Sequence, residues 1–448
     1  MKLQIFKYLD RIRSSFWFIP IIMAAGAVTL AFVAVAFDPR VTDWLRLTMG
    51  WTFVQGAAGA STMMGTIAGS MITIAGVVFS MTLVALSLAS SQFGPRMLRN
   101  FMRDTTTQVV LGTFIASFLY CLLVLRTIRR VEEVFFVPHL SVLLGVVLAV
   151  VSVAVLIYFI HHVSVSLQAN EIVAQVSKEL TEGIARLFPE QIGRGAPQIP
   201  ATPPDASFIN AFDQEAHPVG ATGDGYLQFI DLDVLMALAI EKDVVLRLER
   251  APGHYVVAER PLVLVWPESL ATDELIAQIR CAFTLGNERT PRQDIEFTIN
   301  QLVEIAVRAL STGVNDPFTA VACVDHLGSA LSRLAQRGMP SPYRHDKQDQ
   351  LRLITPTVSF SIFADAAFNQ IRQNSRSCAA VTIRLLETIA VVAEFAHRAK
   401  DRAALLRHAQ MINRGASEGL SESEDRRVVE EHYEAARQLL SEPEKPNM

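Results

Sequence analysis

GTIAGSMITIAGVVFSMTLVALSLASSQFGPR, from Gly65 to Arg96, is apolar enough for a bilayer yet crowded with glycine and hydroxyl side chains. It sits in a run of 49 uncharged residues between Arg46 and Arg96, whereas a helix crosses a ~30 Å hydrocarbon core with about 20. Thr66, Thr73, Ser80 and Ser87 recur at intervals of seven. Residues seven apart fall on nearly the same side of a helix, and steps of three or four fill the gaps. Thr66, Gly69, Thr73, Gly76, Ser80, Leu83, Ser87 and Ser91 therefore form one stripe, small or hydroxylated except around Leu83 and Val84. Ile72, Phe79, Met81 and Leu86 lie largely off it.

Two readings fit the stripe. Small residues let helix backbones approach, and serine or threonine bonds back to its own helix at little cost. Alternatively, copies of the helix surround an axis and present their hydroxyls to water. On that reading Thr66, Gly69, Thr73, Gly76, Ser80, Ser87 and Ser91 line a pore, with Leu83 and Val84 as a constriction that gates by dewetting. Arg96, Arg99 and Arg103 would then ring its cytoplasmic mouth and attract anions. The general excess of positive charge on cytoplasmic loops accounts for them equally well. Gly94-Pro95 can bend the chain just before them.

Working outward, three further segments are long and apolar enough to span, so membrane helices are expected over about 16–37, 59–91, 105–125 and 137–160. The 24 uncharged residues between Arg13 and Asp38 are too many for a signal-peptide core, and the first span is read as retained. Lys2, Lys7, Arg11 and Arg13 precede it and Arg96, Arg99 and Arg103 follow the second, which places both termini in the cytoplasm. Arg126, Arg129 and Arg130 argue partly against that orientation. The fourth helix is expected to run on into the cytoplasm, because apolar residues recur with helical period at Ala169, Val173, Val176, Leu180, Ile184 and Leu187.

Composition agrees with a membrane protein: 51% of residues are hydrophobic and 19% charged, with a net charge of −4. No basic tract suggests a nucleic-acid partner. Cys121, Cys281, Cys323 and Cys378 lack CxxC spacing, so neither a disulfide framework nor a metal set is expected, and free thiols suit a reducing compartment. The expected location is the bacterial inner membrane.

Leu187 is followed by PEQIGRGAPQIPATPPDAS, whose five prolines end a transmembrane domain over 1–188 and open a linker over 189–224. A small β-rich module is expected over 225–267. GYLQFID reads as a strand, Asp231 as the cap of the helix LDVLMALAIEK, and DVVLRLER, HYVVA and PLVLVW as three strands, with Ala251-Pro252-Gly253 turning between the first two. Docking of subunits suits this module better than ligand binding, since no phosphate-cradling glycine loop occurs. A helical domain follows over 268–440, with a disordered tail over 441–448. Asn315-Asp316-Pro317 has the form of a helix start, a capping side chain before proline in the first turn.

Catalytic chemistry finds little support. His161 and His162 are adjacent and cannot both face one ion from a helix, so placement at the membrane interface is expected. Asp294, Glu296, Glu304, Arg308, Asp316, Asp325 and His326 form the densest polar group, but Glu304 and Arg308 are an ordinary i, i+4 pair and nothing supplies a nucleophile with its base. No cofactor motif is present.

Three stretches together are familiar: the glycine-rich helix running into SSQFGPRMLRNFMRD, then GYLQFIDLDVLMALA, then RALSTGVNDPFTAVACVDHL. In that order they resemble a widespread bacterial family of predicted integral membrane proteins with a domain of unknown function. The likeness extends from the first membrane helix to about residue 400. Family members often carry proline where this sequence has Thr312. The resemblance implies four membrane helices and a cytoplasmic domain; it brings no catalytic residues. The fold class expected is thus an α-helical membrane protein of four spans with a C-terminal α+β domain. The leading expectation for function is a homo-oligomeric channel whose second helix lines the path, surrounded by lipid and passing a small ion, an anion slightly favoured. A membrane-anchored sensor or scaffold is the main rival, and a membrane enzyme the third.

Overall fold

The structure is a computed structural model that describes residues 16–48, 56–94, 104–131, 134–166, 168–188 and 204–441, with side chains described for all of these except 39–48 and 129–136. Arg96, Arg99 and Arg103, residues 189–203 of the proline-rich linker and residues 442–448 of the C-terminal tail lie outside the described residues. The chain divides into two compact units, 1–171 and 172–448.

In the first unit, four helices are long and apolar enough to cross a membrane: within α1 (Phe18–Thr48), and α2 (Ala57–Phe93), α3 (Thr105–Thr127) and α4 (His139–Ser166). A two-stranded hairpin, β1 (Arg129–Val131) with β2 (Val134–Phe136), joins α3 to α4. α3 packs against all three other helices and is the most buried of the four. Its central place has a sequence cause at Gly112. A Cβ there would stand 2.6 Å from Met23 Sδ and 3.2 Å from Pro20 Cα, so only glycine lets α1 cross so closely. Met64, Ala68, Tyr120, Cys121 and Val124 form one part of the core, and Met71, Ala75, Val110, Phe114 and Phe159 another. Several buried polar groups of this unit are paired across helices. Asp38 accepts from the Ser141 backbone N–H (2.9 Å) and hydroxyl (3.0 Å). Tyr120 donates to the Ser141 carbonyl (2.9 Å), and Ser117 and Ser152 share a hydrogen bond (3.1 Å). In an apolar surround an unmet backbone N–H is expensive, so Asp38 caps α4 from another helix.

The fourth helix does not run on unbroken. α4 ends at Ser166 and α5 (Ala169–Leu187) begins afresh. The Ser164 and Ser166 hydroxyls bond back to the carbonyls of Ile160 and His162 (both 2.7 Å) at this end, an arrangement that bends helices. The apolar stripe of α5, with Val173, Val176, Leu180 and Ile184, is buried. From Ile172 onward it belongs to the second unit, upstream of residue 188 where the sequence reading ended the membrane domain.

The second unit combines two sheets with a helical bundle. Inside the stretch read as linker lie α6 (Ala206–Glu215) and β3 (His217–Gly220). β4 (Gly225–Ile230), α7 (Leu232–Glu241), β5 (Val245–Leu248), β6 (Tyr255–Val256) and β7 (Pro261–Trp266) follow, matching the strands expected there. Asp231 caps α7 through the Val234 N–H (3.2 Å). α8 (Asp273–Cys281) leads to β8 (Phe283–Gly286). Next come α9 (Ile295–Ala309), α10 (Pro317–Ala335), β9 (Tyr343–His345), β10 (Leu351–Ile354), α11 (Phe360–Asn374), α12 (Ala379–Phe395), α13 (Ala399–Gly419) and α14 (Ser423–Ser441). The sheets run β3-β7-β5-β10-β9 and β6-β4-β8. β8, β9 and β10 thus come from the stretch read as helical, and β10 pairs in parallel with β5. β5 and β6, neighbours in sequence, lie in different sheets. Gly253, at φ +93, lets the turn between them fold against Asp294, where any Cβ would collide. Leu227, Leu235, Leu246, Val263, Val265, Leu275 and Leu353 close one core between these elements.

Candidate functional site

α2 is 37 residues long, about 55 Å. Its buried side is Ala57, Ala60, Met64, Ala68, Met71, Ala75, Val78, Ala89 and Phe93. The hydroxyl and glycine stripe is on the other side. Thr66, Gly69, Thr73, Gly76, Ser80, Ser87 and Ser91 are all exposed, as are Leu83 (49%) and Val84 (57%). From Thr66 to Ser91 the stripe runs ~37 Å, enough to traverse a hydrocarbon core. Several hydroxyl protons on the exposed side have local acceptors: Thr62, Thr66, Ser70 and Thr73 donate to the carbonyls of Ala58, Thr62, Thr66 and Gly69 at 2.8–2.9 Å. Each oxygen keeps acceptor capacity. A Cβ built at Gly65, Gly69 or Gly76 would meet nothing within 4 Å. Close packing inside this protomer therefore does not account for those glycines. Bulky exposed residues, Ile72, Val77, Phe79, Met81 and Leu88, flank the stripe. The helix stops at Gly94, φ +105, whose N–H donates to the Ser90 carbonyl (3.2 Å).

Toward that end of α2, a cavity of about 240 Å³ opens among Phe16, Trp17, Phe79, Leu83, Asp104 and His162. Asp104 caps α3, accepting from the backbone N–H of Thr106 (3.1 Å) and Thr107 (3.2 Å) and from the Thr107 hydroxyl (2.6 Å). The same carboxylate lies 2.9 Å from His162 Nε2. Burial pushes the Asp104 carboxyl up, but the hydrogen bonds from Thr107 and His162 outweigh it and hold it below its ordinary value. Ser166 Oγ stands 3.4 Å from the same Nε2. Serine and aspartate thus compete for one ring nitrogen, whereas a relay to a nucleophile uses both. His161 is exposed, so the two adjacent histidines diverge and only His162 joins the cavity. The sequence did not bring Asp104 to His162 because 58 residues separate them. Asp104 before three threonines is a readable cap signal, but its partner on α4 is not.

In the second unit the polar group seen in the sequence disperses into local roles. Asp294 caps α9 through the Phe297 N–H (3.0 Å) and grips Arg289 with both oxygens (2.7 and 2.9 Å). Glu304 and Arg308 pair at 3.4 Å. Asp316 caps α10 through the Thr319 N–H (3.1 Å) and hydroxyl, with Pro317 in the first turn and Asn315 in the left-handed region at φ 51. Asp325 binds Arg384, and His326 Nδ1 meets the Ser177 hydroxyl at 2.9 Å. Phe318, in the first turn of α10, is 84% exposed, and Val314 in the loop before it is exposed too. Among the described residues no three histidine, cysteine or acidic side chains converge to hold a metal.

The sequence profile of a family described as "Predicted membrane protein (DUF2254)" matches residues 13–391. Uncharacterized proteins of Mycobacterium tuberculosis (strain H37Rv) and Mycobacterium bovis are each 32% identical over 433 residues, covering 94% of this chain and 80% of the relative. No solved structure matches.

Proposed function

We propose, from the premise that this chain belongs to that family of predicted membrane proteins, that identical subunits assemble in the bacterial inner membrane around an aqueous path for a small ion. α2 lines the path with Thr66, Gly69, Thr73, Gly76, Ser80, Ser87 and Ser91, and Leu83 and Val84 narrow it. Both termini face the cytoplasm, and the second unit assembles or gates the subunits. One observation carries this reading. The small, wettable side of α2 turns away from its own bundle, and its glycines at 69 and 76 are free of any packing need there. A purely lipid-facing side has no use for a glycine and hydroxyl stripe across the full hydrocarbon thickness. Contact with other copies or with water does.

The test is ion flux through purified protein in liposomes. The reading expects a conductance that Thr73→Lys and Ser80→Asp change in selectivity and in opposite senses. Flux absent from the wild type, or indifferent to both charges, overturns it. A scaffold reading has Phe318 on its side, an aromatic ring held out in solvent where a partner could cover it. On that reading Phe318→Ser removes a binding partner, while the stripe substitutions leave function intact.

A further inference from the structure

The second unit gathers four arginines that the sequence keeps apart. Arg372 lies in the last turn of α11 and Arg376 just beyond its end. Arg407 and Arg414 lie seven apart on α13, which packs on α11. The chain after α11 is pressed onto α13 at two glycines. A Cβ at Gly419 would stand 2.5 Å from the Arg376 carbonyl oxygen, and one at Gly415 would lie 3.6 Å from the Arg376 Cγ. Those glycines bring Arg376 down beside Arg414. Arg372 is steadied by Asn369 Oδ1, to which its Nη2 donates at 3.1 Å.

Few negative charges answer these cations. Asp365 Oδ1 takes Arg407 and, at 2.8 Å, His408 Nε2. Glu418 reaches Arg376 only at 4.0 Å, with both side chains at least half exposed. Burial holds His408 neutral, its pKa pushed down to about 4. Among the described residues, the ion pairs of these four guanidinium groups thus involve two carboxylates, one of them distant. The crowding is felt at Arg372, where burial first and then the charges of Arg376, Arg414 and Arg407 push the guanidinium below its ordinary value. The negative end of α11 favours Arg372 and Arg376. It does not account for Arg407 in the middle of α13 or for Arg414, more than a turn from its end.

We propose that Arg372, Arg376, Arg407 and Arg414 form a binding site for a phosphate group carrying at least two negative charges. Planar guanidinium forks match phosphate oxygens two at a time, and a phosphate offers three terminal oxygens to donors arriving from two helices where a carboxylate offers two. Arg376 and Arg414 are exposed, while Asp365, itself bonded to His408, holds Arg407. The same chemistry could arrive as a soluble phosphate or as a lipid headgroup. This site is independent of the path along α2.

The experiment follows thermal unfolding of the full chain in neutral detergent at fixed ionic strength. One titration uses inorganic pyrophosphate and another uses dioctanoyl phosphatidic acid. A saturable rise in melting temperature with pyrophosphate assigns a soluble phosphate, and a rise with the lipid alone assigns a headgroup; either supports the site. Arg376→Gln and Arg414→Gln each weaken the response roughly tenfold or more. Without ligand both variants melt at or above the wild type, because a like charge has been removed. Arg247→Gln on β5, paired with Asp213 and Glu249 in the five-stranded sheet, responds as the wild type does. No saturable rise with either probe overturns the proposal. So does a wild-type response from Arg376→Gln and Arg414→Gln.

Discussion

Acidification acts on the packing of α13 against α11 through one side chain. His408 is fully buried, its Nε2 on Asp365 and its ring against Phe368 at 5.4 Å, and its Nδ1 has no partner. Protonation would put a second N–H where nothing accepts it. Burial accordingly lowers its pKa from 6.5 to about 4, with Asp365 opposing the shift and Arg407 and Arg372 adding to it. The folded state then binds fewer protons than the unfolded one between those two values, so stability is complete above about pH 6.5 and falls as the pH drops toward 4. At about pH 5 the loss is about 2 kcal/mol, approaching ~3 kcal/mol below pH 4. Asp365, whose carboxyl is also held low because Arg407 and His408 outweigh its burial, acts in the same direction at still lower pH. Hydrogen exchange of the 399–419 peptide, corrected for intrinsic rates, reads this directly. Moving from about pH 7.5 to about pH 5 lowers its protection roughly thirtyfold by the linkage relation. His408→Gln keeps a donor to Asp365 and does not titrate, so it loses far less. Equal acid sensitivity in the variant and the wild type refutes the reasoning.

Three further perturbations probe the membrane unit. Gly112→Ala forces α1 from α3, because its methyl would sit 2.6 Å from Met23 Sδ; thermal unfolding in detergent records a loss of about 1–3 kcal/mol. Gly69→Leu and Gly76→Leu, which meet nothing within 4 Å, leave the protomer folded but lower the mass of the assembly in light scattering. Asp38→Ala strands the Ser141 N–H and hydroxyl; about 1–3 kcal/mol of stability is lost, and Asp38→Asn restores part of it.

What could be read from the chain followed from local physics. The four spans show as apolar length, and the stripe as a seven-residue period on a helix whose burial obeys the same geometry. Asp231 and Asp316 were legible as caps because a cap and its N–H lie three residues apart. What escaped depends on distance in sequence. Asp104 meets His162, Asp38 meets Ser141, and Asp365 meets Arg407 only after helices pack. The strands β8, β9 and β10 are three or four residues long, too short for their period to stand out beside the helices that flank them. The break between α4 and α5 was hidden because the apolar pattern continues across it while the backbone does not.

The central claim concerns what the outward side of α2 faces in the assembled protein. An electron-microscopy reconstruction of the detergent-purified assembly decides it. The account predicts several copies around a water-filled axis, with Thr73, Gly76 and Ser80 turned toward it. A solitary protomer, or an assembly in which those residues are sealed against protein or lipid with no central opening, contradicts it.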